Sequence, residues 1–116
     1  MTPRSLITRL SDFIEAIERI EEAVGDMPLD AFEADWQKQW LVERGVEIPS
    51  EASRHLTDAV KNRHPEIPWR KVAGISNVLR HAYGNIAPPL MWTLVREDLP
   101  LLERVCREEL AALRRS

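Results

Sequence analysis

The sequence predicts an all-α fold, a four- to five-helix antiparallel up-down bundle, and three observations predict it. Apolar residues recur at three- and four-residue spacing along most of the chain. Leu, Ala, Glu and Arg dominate over Val, Ile and Thr, and only four of 116 residues are glycine, a balance that favours helix over sheet. The stretches between the periodic segments are short, so successive helices must turn back on one another. A chain of this length fits one domain, residues 1–116.

The first helix is expected from Leu6 to Val24. Ser5 is placed to cap it, Leu6, Leu10, Phe13, Ile14, Ile17, Ile20 and Val24 form its apolar stripe, and Gly25 can end it. A second helix starts near Leu29 and carries Phe32, Trp36, Trp40 and Val42. The two tryptophans share a stripe and read as core or interface anchors rather than a cofactor site. Pro49 lacks a backbone donor and should kink or break any helix there. Ser50 would then cap a further helical piece running to Arg63, with Ala52, His55, Leu56 and Val60 facing inward. Two prolines in His64–Trp69 make a fixed connector, and Pro68 suits the start of a third helix, Trp69 to Tyr83 or Gly84. After a connector from Asn85 to Pro89, a last helix runs from Leu90 to Arg114, with Pro100 expected to bend or break it.

The formal net charge of −3 is unevenly spread: residues 12–58 are strongly acidic, whereas 59–86 are basic through Lys61, Arg63, Arg70, Lys71 and Arg80. Such a segment marks an anion or nucleic-acid contact, or faces the acidic helices of its own fold. No apolar run approaches the roughly 20 residues of a membrane span, and the N-terminus lacks a leader pattern. The single cysteine, Cys106, excludes an internal disulfide and reads as a packing residue. The cytoplasm is the expected location. There is no Cys–His metal spacing, glycine-rich phosphate loop or Gly-x-Ser-x-Gly elbow, so no cofactor or metal is expected.

The informative segment is Trp69–Gly84. At 100° per residue, Val72, Ile75, Ser76, Leu79, Ala82 and Tyr83 share the core side. Arg70, Ala73, Gly74, Asn77, Arg80, His81 and Gly84 share the other. Ala73 and Gly74 have almost no side chain, so with Asn77 they offer a face that a second backbone can approach. Asn77 and His81 are neighbours and Arg80 sits beside them. Imidazole titrates near neutrality and can accept or donate the proton of a ribose 2′-hydroxyl or a leaving oxygen. A guanidinium can hold a phosphate, and an amide can orient either partner. From spacing alone this is weak evidence, since a lone histidine beside an arginine on a helix is usually an ordinary surface pair.

The residues PEIPWRKVAGISNVLRHAYG, the following Met91–Trp92 and the stretch EDLPLLE resemble the HepT-like family of the HEPN superfamily over about two-thirds of the chain. EIPSEASRHL resembles that family's second long helix, with Pro49 and Ser50 where helix-friendly residues are expected. The resemblance implies a HEPN-type bundle that forms a homodimer with two motif helices facing each other across a composite cleft, here through Ala73, Gly74 and Asn77. It implies a metal-independent RNase toxin of a type II/VII-like toxin–antitoxin pair, acting on an RNA substrate. The partner it implies is a small nucleotidyltransferase antitoxin that silences the toxin by adding AMP to the motif tyrosine. Carried over by position, the motif histidine is His81 and the AMP acceptor is Tyr83. The family pattern places an arginine at position 76, where this chain has Ser76. Either Arg80 supplies that charge, with His81 and Asn77 completing the catalytic set, or the chain is a catalytically inactive binding module that docks a nucleotidyltransferase or a nucleotide.

Overall fold

The computed structural model describes residues 3–82 and 87–115. Among them every regular element is helical: α1 (Pro3–Val24), α2 (Leu29–Glu33), α3 (Trp36–Gly45), α4 (Glu47–Arg54), α5 (Asp58–Arg63), α6 (Trp69–Arg80), α7 (Ala87–Thr93) and α8 (Leu99–Arg115). A π-helical turn, Leu94–Asp98, joins α7 to α8 without a break. These elements make four rods: α1, the α3–α4 pair, α6, and the unbroken helix Ala87–Arg115. The last spans 29 residues, about 43 Å at 1.5 Å per residue, which accounts for the 46 Å long axis of the molecule.

The expected stripe of α1 is the centre of the core. Leu10, Phe13, Ile14, Ile17, Ile20 and Val24 are all buried, against α8, α4 and α3. Each such side chain contributes about 1.5–3 kcal/mol relative to exposure. Gly25 does end the helix: its φ of 56° is the left-handed conformation glycine tolerates, and its N–H donates to the Glu21 carbonyl at 2.7 Å. Gly45 serves packing instead. A Cβ there would lie 2.8 Å from Cγ1 of Ile20, so α3 crosses α1 at a residue without a side chain.

Pro49 is buried in the first turn of α4, and the interruption it predicts lies one turn upstream: its missing N–H would have paired with the Gly45 carbonyl, and α3 ends at Gly45. The joint is at Val46, between α3 and α4, and the Val46 carbonyl still accepts from the Ser50 N–H at 3.1 Å. Ser50 is consequently an interior helix residue, fully buried, rather than an N-cap. The helical piece expected from Ser50 to Arg63 is split at His55–Thr57. Thr57 caps α5 by accepting from the Val60 N–H at 3.3 Å. His55 points outward, its Nε2 3.0 Å from Glu51, and is not a core histidine. Trp36 and Trp40 are exposed, 58% and 66%, with rings 4.9 Å apart in an edge-to-face pair; they are not core.

Pro100 leaves the last helix continuous. The wider π-turn immediately before it accommodates a residue that cannot donate to position 96 and whose ring crowds that carbonyl. The same stretch fastens the α1–α2 loop, because Trp92 Nε1 and Arg96 Nη2 each donate to the Met27 carbonyl at 2.9 Å. Cys106 is fully buried, and burial with nearby Glu109 and Glu103 pushes its thiol up to about 12. It is a packing residue with no thiolate to offer at neutral pH.

Candidate active site

α6 is set by its flanks. The Trp69 indole N–H donates to the carbonyls of His64 (3.0 Å) and Lys61 (3.2 Å), gathering the end of α5 and the proline-rich connector around the first turn of α6. From there the helix buries Val72, Ile75, Ser76 and Leu79 and exposes Arg70, Asn77 and Arg80, the two faces its periodicity predicts. Ala73 and Gly74 are half-buried, and a Cβ on Gly74 would meet nothing within 4 Å. That part of the helix is open to another surface.

The helix ends at Arg80, not at Tyr83 or Gly84. Its final turn tightens: the His81 N–H reaches the carbonyls of Asn77 (3.3 Å) and Val78 (3.2 Å), and the Ala82 N–H that of Leu79. His81 is therefore the residue that caps the helix, and it is exposed. Its ring Nδ1 lies 2.9 Å from the Asn77 main-chain carbonyl. A carbonyl can only accept, so Nδ1 carries the proton in the neutral ring and Nε2 keeps its lone pair. The group that orients the imidazole is thus the backbone of Asn77 rather than its amide. Tyr83 lies outside the described residues.

Asn77, Arg80 and Ser76 line one wall of a cleft of about 610 Å³. The opposite walls are Arg9 and Asp12 of α1, Arg44 and Gly45 of α3, and Glu47, Ile48, Glu51, Ala52 and Arg54 of α4. His81 does not line the cleft; it stands just beyond Arg80 at the end of the same helix. Four arginines thus reach the cleft from four helices. Arg44 pairs with Glu47, and Arg54 pairs with Glu51 at 2.7 Å. The Arg54 and His55 side chains hold the Glu51 carboxyl below its usual range. Among the described residues, neither Arg9 nor Arg80 makes an ion pair or a side-chain hydrogen bond.

The floor beside position 76 is built from α4. Ser50 Oγ donates to the Ala73 carbonyl at 2.7 Å and lies 3.4 Å from Ser76 Oγ. Arg54 Nη1 donates to the same carbonyl at 2.7 Å and to Ser50 Oγ at 3.2 Å. Sequence reasoning found Arg80 and Asn77 but missed Arg9, Arg44 and Arg54. The available signal was the Ser50–Glu51–Arg54 spacing on one helix, which is hidden if Ser50 is taken as a cap.

The family described as Ribonuclease HepT-like matches residues 13–109. The chain is 40% identical over 94 residues to “Probable ribonuclease HepT” of Thermococcus cleftensis, covering 81% of this chain and 86% of that protein. It is 30% identical over 104 residues to “Putative RNase MJ1380” of Methanocaldococcus jannaschii, covering 90% of this chain and 95% of that one. A third relative from the same organism, “Gamma-glutamylcyclotransferase and putative RNase MJ0434”, is 32% identical over 94 residues, which are 81% of this chain and 42% of that protein. No solved structure matches the chain.

Proposed function

We propose, from the premise that this chain belongs to the HepT-like ribonuclease family, that it cleaves RNA with His81 as proton-transfer group and Arg80 as phosphate ligand. The observation that carries the reading is the His81 Nδ1–Asn77 carbonyl contact. It aims an unprotonated Nε2 outward, one residue from a guanidinium that lines the cleft. The ribose 2′-hydroxyl gives its proton to Nε2 of one neutral ring as its oxygen forms a bond to phosphorus. The bond from phosphorus to the 5′-oxygen breaks, and that oxygen takes a proton from the second His81 of a homodimer, which acts in its imidazolium form. The products are a 2′,3′-cyclic phosphate and a 5′-hydroxyl. Arg80 offsets the charge that grows on the phosphate oxygens.

The dimer brings two α6 helices together through Ala73, Gly74 and Asn77, where the helix face is open and nearly free of side chains. The chain is the toxin of a toxin–antitoxin pair. A small nucleotidyltransferase antitoxin silences it by transferring AMP from ATP to the Tyr83 hydroxyl, with pyrophosphate leaving. The competing reading, an inactive module that docks such a partner or a nucleotide, rests on Ser76.

The test is cleavage of a labelled single-stranded RNA by the parent, Arg80→Ala and His81→Ala, each with a melting curve. Both variants should fold and both should lose on the order of 100-fold or more in rate. Activity should persist in EDTA, because among the described residues no three His, Cys, Asp or Glu side chains are grouped to hold a metal ion. It should fall with salt, which screens phosphate contacts. Full activity in Arg80→Ala would remove Arg80 from the site, and an inert, folded parent would favour the binding module.

A further inference from the structure

We propose that the cleft between α1, α4 and α6 is the track for the RNA phosphate backbone, with Arg54 of α4 supplying the cation that α6 lacks at position 76 and Arg9 of α1 holding a further phosphate. The inference rests on the ribonuclease reading and names residues that reading does not use.

The donor count of Arg54 carries the first half. A guanidinium has five N–H donors in a rigid plane. Nη1 is spent on the Ala73 carbonyl and Ser50 Oγ, and Nη2 gives one bond to Glu51. Nε–H and the second Nη2 hydrogen remain. The side chain is 48% exposed and lines the cleft, so the guanidinium is accessible there with donors still unspent. The contacts that are made fix the plane without covering it. They also hold it against the α6 backbone at Ala73, about one turn before Asn77 and two before Arg80, beside the wall that Ser76 lines. A phosphate there meets a preorganised fork from α4 and the Arg80 side chain from α6.

Charge carries the second half. Of the cleft carboxylates, Glu47 and Glu51 are paired with Arg44 and Arg54, leaving Asp12 as the one without an ion pair among the described residues. Arg9 and Arg80 are cations without a carboxylate partner among those residues. They stand on α1 and α6, opposite sides of the cleft. An extended polyanion can reach both, with Arg54 on the α4 wall between them in the order of packing, since α4 contacts both α1 and α6.

The experiment is fluorescence anisotropy with a fluorescein-labelled 2′-O-methyl oligoribonucleotide, which the proposed chemistry cannot cleave. It compares the parent, Arg54→Ala, Arg54→Lys, Arg9→Ala and Arg104→Ala across a salt series, with a thermal melt of each. Arg104 lies on α8, outside the cleft, and controls for net charge. Arg54→Ala and Arg9→Ala should each bind about tenfold more weakly. Each should also lower the slope of log affinity against log salt by about 0.7, the value for one phosphate contact on a single strand. Arg54→Lys should keep the slope and lose part of the affinity, and Arg104→Ala should match the parent. If Arg54→Ala lowers the melting temperature but leaves affinity and slope unchanged, Arg54 only braces α4 on α6 and the inference is overturned. If the parent binds and cleaves RNA with Arg9 and Arg54 both dispensable, the inference falls while the ribonuclease reading stands. If the folded parent neither binds this probe nor cleaves RNA, both fall.

Discussion

A serine at position 76 has Ser50 Oγ at 3.4 Å and the Arg54 guanidinium beyond it, and this setting determines what an arginine there would do. Ser76 is only 9% exposed. Lengthening it to Arg drives a charged group into space that Ser50 and Arg54 already fill, an overpacking that typically costs about 1–3 kcal/mol. Ser76→Arg alone should therefore melt below the parent and cleave RNA more slowly. Ser76→Arg combined with Arg54→Ala should recover both, since the second change vacates the room and keeps one cation. Melting curves and cleavage rates of the three proteins check this. A Ser76→Arg single variant that folds like the parent and gains activity from an inert background would instead mark the parent as a binding module. The neighbouring residues show what spacing can and cannot tell. An ideal helix places Asn77, Arg80 and His81 together, and the first two do share the cleft wall. The partner of the His81 ring is the Asn77 carbonyl in the last turn of α6, which also accepts from the His81 N–H, and where a helix stops is set by its C-terminal contacts rather than by its periodicity.

At the scale of the elements, apolar spacing made α1 and both faces of α6 legible, because each buries one continuous stripe against neighbours. The prolines marked the irregular places, and their effect falls upstream of them: α3 ends at Gly45, four residues before Pro49, and the helix widens to the π-turn Leu94–Asp98 just before Pro100. Stripe and burial are separate questions for the tryptophans: Trp36 and Trp40 pack on each other outside the core, which removes the core alternative. Trp69 is only half-buried, yet it packs on the core and clamps two carbonyls through one N–H. Trp69→Ala should lower stability by about 3 kcal/mol through lost packing. Trp69→Phe keeps most of the ring and should lose about 1 kcal/mol, the usual net value of a hydrogen bond. Urea titrations of both, read at constant slope, separate the two contributions. If the two variants unfold at the same urea concentration as the parent, α6 does not depend on this clamp.

Across the whole molecule, the long contact between α1 and α8 carries a pH-dependent element away from the cleft. Burial pushes the Glu21 carboxyl up to about 7, helped by its hydrogen bond to Glu103 and by the Glu103 charge, and opposed by Arg107. Glu103 moves the other way, held down by that same hydrogen bond and by Arg107. Arg107 also bridges to Glu18, so two acids of α1 and two charges of α8 meet in one cluster. The signs follow from linkage. A group with a raised folded-state value binds its proton more tightly in the native state, so the Glu21 contribution is full below its ordinary value of 4.5. That contribution is lost as the pH rises through about 7. Glu103, with a lowered value, contributes above its ordinary range and loses that contribution as the solution is acidified. Between about pH 5 and pH 8 the Glu21 proton therefore dominates the slope, and stability from this cluster falls with rising pH. Glu21→Gln places a permanent donor against the Glu103 carboxylate and removes the second charge. Its melting temperature should match the parent near pH 5, exceed it by a few degrees near pH 8, and vary less between them. Scanning calorimetry across that range measures the effect. Parallel curves for parent and variant would show that the two carboxyl groups do not share a proton in the folded chain.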